Sequence, residues 1–183
     1  MWTVNPTQGE EEVSVTRTTV EGSFDQIAEL SVEEYIFTNV GKRENAGRVL
    51  FGRNVPLTGN SFLLTYSGVV KAGVEDFEAV EVRIDDEAAT IDVTVPRVKV
   101  TSSEIDPDSI TVYDQSMNPF NQIEMQDFSN FIAEEKRVAE QKAVEAGLLE
   151  RAEDRVKMLM VSHVEALTGG TQQDGYAVKV GWK

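Results

Sequence analysis

The residues that could do chemistry are a few clustered carboxylates and one histidine. Asp106, Asp108 and Asp114 lie close enough to offer oxygen ligands to calcium, a hard cation that accepts carboxylates over a range of angles. Their spacing departs from an EF-hand loop, and Asp106-Pro107-Asp108-Ser109 reads more simply as a turn whose aspartates bond their own backbone. Asp85, Asp86 and Glu87 present the same choice between a cation site and a solvated connection. Glu75, Asp76 and Glu78 have the types of a glycosidase acid and base, but a chain with 32 aspartates and glutamates produces such neighbours by composition alone. His163 is the only histidine, so neither a His-based metal cluster nor a Ser-His-Asp triad can be assembled. A boundary histidine satisfied by local hydrogen bonds is simpler than a lone base. Gly68 and Gly73 belong to neither GxxxxGK[ST] nor GxGxxG, so they form no phosphate cradle. No catalytic, cofactor-binding or metal-ligating residue is assigned, and no cofactor is expected.

Composition narrows the partners. The formal net charge is −15, from 17 lysines and arginines against the 32 acids. Nucleic acid is a poor partner, because binding phosphates requires clusters of cations. With no cysteine, disulfides, thiolate metal sites and cysteine nucleophiles are excluded. No apolar run of about 18 residues is present to span a membrane, and Met1–Gly9 has no signal-peptide pattern. The 183 residues, 40% of them hydrophobic, suit one domain over 13–183 behind a flexible polar flank over 1–12.

The elements that would hold these residues follow from periodicity. β-Branched Thr18, Thr19 and Val20 predict a strand near Val13–Thr19. Ser23 with Gln26 forms a capping-box pattern for a short helix carrying Phe24, Ile27, Ala28 and Leu30. Val32–Val40 predicts a strand ended by a loop from Gly41, and Val49–Phe51 a short one. The clearest strand is Ser61–Lys71, with Phe62, Leu64, Tyr66, Gly68 and Val70 on one face. Ala79–Ile84 and Thr90–Val95 alternate as a hairpin joined by Asp85–Ala89. Beyond Pro96, Arg97–Thr101 reads as a separate or edge strand, and Ser109–Tyr113 adds another. Tyr176, Val178, Val180 and Trp182 predict a last strand.

The largest continuous feature is helical, from about Asp127 to Leu167, with Asn118-Pro119 as its start. Phe128, Phe131, Ile132, Ala139, Ala143 and Ala146, then Leu149, Ala152, Val156, Leu159, Met160, Val164 and Leu167, follow three- and four-residue steps and predict one buried face. Unbroken, this helix would be roughly 60 Å long at about 1.5 Å per residue. Gly147 is the expected bend, since glycine costs ~1 kcal/mol against alanine inside a helix, and Gly169-Gly170 the expected stop. Strands, then helices, then one strand predict an α+β fold: a mostly antiparallel sheet, a C-terminal helical region bent near Gly147, and a final strand returning to the sheet.

Leu64-Thr65-Tyr66-Ser67-Gly68-Val69-Val70-Lys71-Ala72-Gly73-Val74-Glu75, with Ile91-Asp92-Val93-Thr94-Val95-Pro96, Ile105-Asp106 and Val112-Tyr113-Asp114, resembles the bacterial family known as domain of unknown function 4230. The resemblance covers roughly Val13 to Trp182, through a Y-x-G-x-V-x-A-G-[VI]-[DE] segment, a strand ending in proline, and I-D and V-Y-D segments. It implies a domain that sits outside the cytoplasm behind an N-terminal membrane anchor, which this chain does not show. It brings no activity, cofactor or catalytic residue. The expectation is a non-catalytic binding or structural module. Alternatives are a scaffold that self-associates through the helical region and a hydrolase using acidic residues.

Overall fold

The computed structural model describes residues 14–24, 32–45, 49–54, 60–115 and 125–183. The expected flank over 1–12, the apolar positions Ile27, Ala28 and Leu30, and the Asn118-Pro119 helix start lie outside them. The chain divides into two compact units: Met1–Leu30 with Val74–Arg97 and Asp154–Lys183, and Ser31–Gly73 with Val98–Glu153. Each unit is assembled from separated stretches, so neither could be cut out as one segment. The architecture is the α+β arrangement that the periodicity predicts.

The second unit is built on strand β4 (Asn60–Gly73), which pairs antiparallel with β1 (Glu33–Asn45) on one side. On its other side it pairs with β7 (Lys99–Ile105) and then β8 (Thr111–Gln115). A two-residue ribbon, β2 (Val49–Leu50) with β3 (Arg53–Asn54), turns through Phe51 and Gly52, both at positive φ as a type I′ hairpin turn requires. Helix α2 (Met125–Glu145) packs on the sheet against β1, β4 and β7. Its buried row is Phe131, Ala139 and Ala143, so these alanines meet a neighbour within the same chain. Ala146, expected in that row, is exposed, because the helix has already ended and Ala146 lies in the turn.

Gly41 does not begin a loop. β1 runs on to Asn45, held by continuous pairing with β4. A glycine suits this position because an added Cβ would overlap the Phe131 ring and stand 3.2 Å from Tyr66 Cε1. Gly68 is the counterpart on β4, where a Cβ would overlap the Glu104 carbonyl oxygen and lie 2.5 Å from Phe37 Cζ. Above these two glycines the rings of Tyr35, Phe37, Tyr66 and Phe131 form a chain, with successive centroids 6.5, 6.2 and 6.5 Å apart.

The first unit contains α1 (Arg17–Phe24), β5 (Glu81–Asp85), β6 (Thr90–Val95), most of α3 (Leu148–Thr168) and β9 (Ala177–Trp182). The strand expected near Val13–Thr19 is a helix from Arg17 onward. Thr16 caps it, its hydroxyl accepting from the Thr19 amide at 3.3 Å while its carbonyl receives Val20 N–H at 3.2 Å. β-Branched propensity loses there to burial of Val20 and Phe24, one helical turn apart and both fully enclosed. Ser23 lies in the last turn of this helix, its hydroxyl donating back to Val20 O at 2.6 Å, and the rest of the short helix expected after it lies outside the described residues.

β5 and β6 form the expected hairpin, with Val82 opposite Val93 and Ile84 opposite Ile91. β9 joins β6 in parallel, a register that alternation alone could not specify. The helical run breaks at Gly147, whose φ of +80° places it in the left-handed region. Buried residues of α3 then recur every fourth position at Leu148, Ala152, Val156, Met160, Val164 and Thr168. Leu149, Leu159 and Leu167, expected within the stripe, are half-buried at its margin. Gly170, at φ +75°, follows the helix end.

Candidate functional site

A phenol, that of Tyr66, lies in the enclosed layer of the second unit. Alternation along β4 turns Tyr66 inward, and its hydroxyl donates to the Glu135 carboxylate on α2. The Asn39 side chain on β1 also bonds the hydroxyl. Burial first, and then the Glu135 carboxylate, push the phenol well above the ordinary tyrosine range. The hydroxyl therefore keeps its proton at neutral pH and serves as a donor, not as a base or nucleophile. Motif reasoning misses this contact, although a signal for it exists: in the row Phe131, Ala139, Ala143 the intervening position is Glu135. A carboxylate in a buried helical row calls for a donor on the facing strand.

Of the turn aspartates, Asp106 acts on the local backbone and Asp108 is exposed. Asp106 Oδ1 accepts from Asp108 N at 3.0 Å and caps the 3-10 turn Pro107–Ser109. The Ser109 hydroxyl accepts from Ser67 N at 2.8 Å and donates to Asp106 O at 2.6 Å, while Asp106 N donates to Ser67 O at 2.9 Å. These bonds pin the β7–β8 connection to the middle of β4. The side chain of Asp114 lies outside the described residues. Glu75, Asp76 and Glu78 are exposed on the connection after β4.

In the first unit, Asp85 Oδ1 accepts from Ala88 N at 2.9 Å, and Asp86 Oδ1 accepts from the Tyr176 hydroxyl at 3.2 Å. Asp85 thus closes the hairpin and Asp86 holds the approach to β9, while Glu87 is exposed. His163 is half-buried, with Nε2 2.8 Å from Ser23 Oγ and its ring 5.4 Å from that of Phe24. Burial draws its pKa below the usual histidine value. Glu21 links α1 to the edge of β5, where Oε1 accepts from Arg17 Nε at 2.7 Å and from Val82 N at 3.1 Å. Burial raises its pKa, but the Arg17 and Val82 donors outweigh burial and hold the carboxyl below its ordinary value. Lys157 stands 5.7 Å over the Trp182 ring, joining α3 to β9. Among the described residues no cluster of three potential metal ligands occurs.

An open groove is found among the described residues of each unit. That of the first unit, about 560 Å³, sets Arg17 and Arg83 against Glu81 and Asp92, a balanced lining that favours no single-sign ligand. That of the second, about 510 Å³, lies on the face of the sheet turned away from α2 and is lined by Ile36, Val69, Lys71, Glu104 and Pro107 among others.

The profile of the family described as protein of unknown function (DUF4230) matches residues 22–176. The chain belongs to the DUF4230 family. No curated protein and no solved structure matches it. In this DUF4230 domain, many of the residues that carry the resemblance face inward, whereas Val112 and Tyr113 of the V-Y-D segment are exposed. Tyr66, Val70 and Ala72 are fully enclosed, Gly68 sits under Phe37, and Ile91, Val93 and Val95 are the buried row of β6. Ile105 is buried at the end of β7, with Asp106 capping the turn that follows.

Proposed function

We propose that the DUF4230 domain is a non-catalytic binding or structural module, held outside the cytoplasm of a bacterium by a membrane anchor in the full-length protein. The observation that carries the non-catalytic reading is the inward orientation of the motif residues on β4. Tyr66, Gly68, Val70 and Ala72 are spent on the contact between β4, β1, β7 and α2, and the phenol that could react is held as a protonated donor to Glu135. The opposite face of the same sheet is open, with its groove over Ile36 and Val69, and is the surface free to meet a partner. Among the described residues no helix is long and apolar enough to cross a membrane, so the anchor in this reading is a separate segment.

Two measurements test the reading. The purified domain should turn over none of a panel of ester, phosphate and glycoside chromogens; a turnover that Glu135→Gln removes would reject it. Protease added to spheroplasts expressing the full-length gene should digest the domain, and its protection until lysis would place it inside the cytoplasm instead.

A further inference from the structure

We infer that β1 is a self-docking edge, through which two copies of this chain pair antiparallel about a two-fold axis at Thr38 and fuse their sheets into one. The observations concern neither the helical region nor the proposed location, so the inference stands apart from both. β1 is bonded to β4 along one side only and is the outermost strand of its sheet among the described residues. Thirteen residues make it about 44 Å long at ~3.4 Å per residue. A long edge with unpaired amides and carbonyls is a template for a further strand, and proteins ordinarily shield such edges. This edge instead carries two of the chain's exposed large apolar residues, Ile36 at 76% and Val40 at 65% exposure.

The order of residue types along β1 chooses the occupant. On the face turned from α2 the strand reads Glu34, Ile36, Thr38, Val40, Lys42. Read backwards, that series places a cation on the anion and an apolar residue on an apolar residue. An antiparallel copy centred on Thr38 sets Glu34 opposite Lys42, Ile36 opposite Val40 and Thr38 opposite itself, each unlike pair twice because a two-fold interface is self-complementary. The neighbouring registers fail. Moving by one pair sets Glu34 against Val40 and Ile36 against Thr38 in one direction, or Glu34 against Glu44 and Ile36 against Lys42 in the other.

The rows also extend what each sheet already has. Glu34 meets Lys71 of β4 at 3.3 Å, so the second copy's lysine at position 42 would complete a row alternating in sign. Lys42 meets Glu44 at 2.6 Å, in an exposed pair free to rearrange. Ile36 is opposite Val69, and Val40 opposite Thr65, so each row across the junction would run Val69, Ile36, Val40, Thr65, with three apolar residues in succession. At the centre Thr38 bonds Ser67 at 2.9 Å, a contact the two-fold repeats on each side.

A cysteine-free chain makes the register directly testable. Directly opposed residues of an antiparallel pair have Cα atoms about 4.5–5.5 Å apart, within the span a disulfide accepts. Sedimentation of the unaltered chain should show a concentration-dependent dimer. Under mild oxidation Thr38→Cys should give a covalent dimer, and an equal mixture of Ile36→Cys and Val40→Cys should cross-link far faster than either alone. Lys42→Glu, which sets a second carboxylate opposite Glu34, should raise the dimer dissociation constant roughly tenfold or more. Adding Glu34→Lys should restore it. A native chain that stays monomeric at high micromolar concentration overturns the inference. So does a dimer in which Thr38→Cys cross-links no faster than Ile36→Cys alone, or in which the double charge exchange is no better than Lys42→Glu.

Discussion

Tyr66 on β4 and Glu135 on α2 are joined by a hydrogen bond that fastens the helix to its sheet beside the ring contacts of Tyr66 with Phe37 and Phe131. Removing the donor with Tyr66→Phe keeps the ring in place between Phe37 and Phe131 and leaves the carboxylate without its phenol partner. A bond to a charged group is worth ~1.5–3 kcal/mol, so thermal unfolding should show a loss of that order. The alkaline limb gives a second readout. Folding raises the phenol's pKa, so the folded state keeps a proton that the unfolded chain loses from about pH 10. The stability tied to that proton is intact below about pH 10 and falls as pH rises toward the folded value. The Tyr66→Phe variant should lose stability less steeply there, and parallel slopes for the two proteins would contradict the assignment.

Gly68→Ala should destabilise more than Gly41→Ala. At Gly68 the added methyl meets the Glu104 carbonyl oxygen, part of a β7 backbone paired to β4, as well as the Phe37 ring. At Gly41 the obstacles are ring atoms of Phe131 and Tyr66, which can tilt. Overpacking of this kind costs ~1–3 kcal/mol, with Gly68 expected at or above the upper end. Chemical denaturation of the two variants compares them directly, and the reverse order would show that β7 yields more easily than the aromatic cluster.

Periodicity made the strands at 60–73, 81–85 and 90–95 legible, because each has a buried row in alternation. The helix break at Gly147 was legible for a different reason: a single helix of that length exceeds the width of a small domain. What periodicity cannot convey is the partner. Alternation in Val80, Val82 and Ile84 and in Leu64, Tyr66 and Val70 looks the same, yet the two rows belong to different sheets. Thr16–Val20 misled because local β preference was set against burial of Val20 and Phe24, which no local window contains. Gly41 misled because its reason for being glycine is a ring about 90 residues away, on Phe131. Of the candidate site, the turn role of Asp106 and the boundary role of His163 were readable from residue type. The Tyr66–Glu135 bond was readable only as an anomaly, a glutamate in a row of buried positions.

Gly147 offers a test of the helix pair itself. In a continuous helix Gly147→Ala would stabilise by ~1 kcal/mol, because alanine is the better helix former. In the observed structure Gly147 has φ +80°, where a Cβ is disfavoured by ~1–2 kcal/mol. The substitution should therefore lower the melting temperature, and Gly147→Asn should lower it less, since asparagine tolerates the left-handed region better. A rise with alanine would mean that α2 and α3 are one helix in solution.

His163 should make the domain sensitive to mild acid. Its ring is half-buried beside Phe24 and bonded to Ser23, and burial lowers its pKa below the usual histidine value of about 6.5. The fold thus favours the neutral ring, while the unfolded chain takes up a proton from about pH 6.5 downward. The stability tied to the neutral ring is intact above that pH and declines as pH falls toward the folded value. His163→Gln retains a side chain able to bond Ser23 but cannot titrate. Melting temperatures measured from about pH 7.5 to about pH 5 should fall for the unaltered chain with a step that the glutamine variant lacks. Carboxylates contribute a common acid slope to both proteins, so the difference between the two curves is the quantity to follow. A difference that stays constant across the range would show that the fold does not distinguish the two protonation states of His163, and that its contact with Ser23 is structural without being pH-linked.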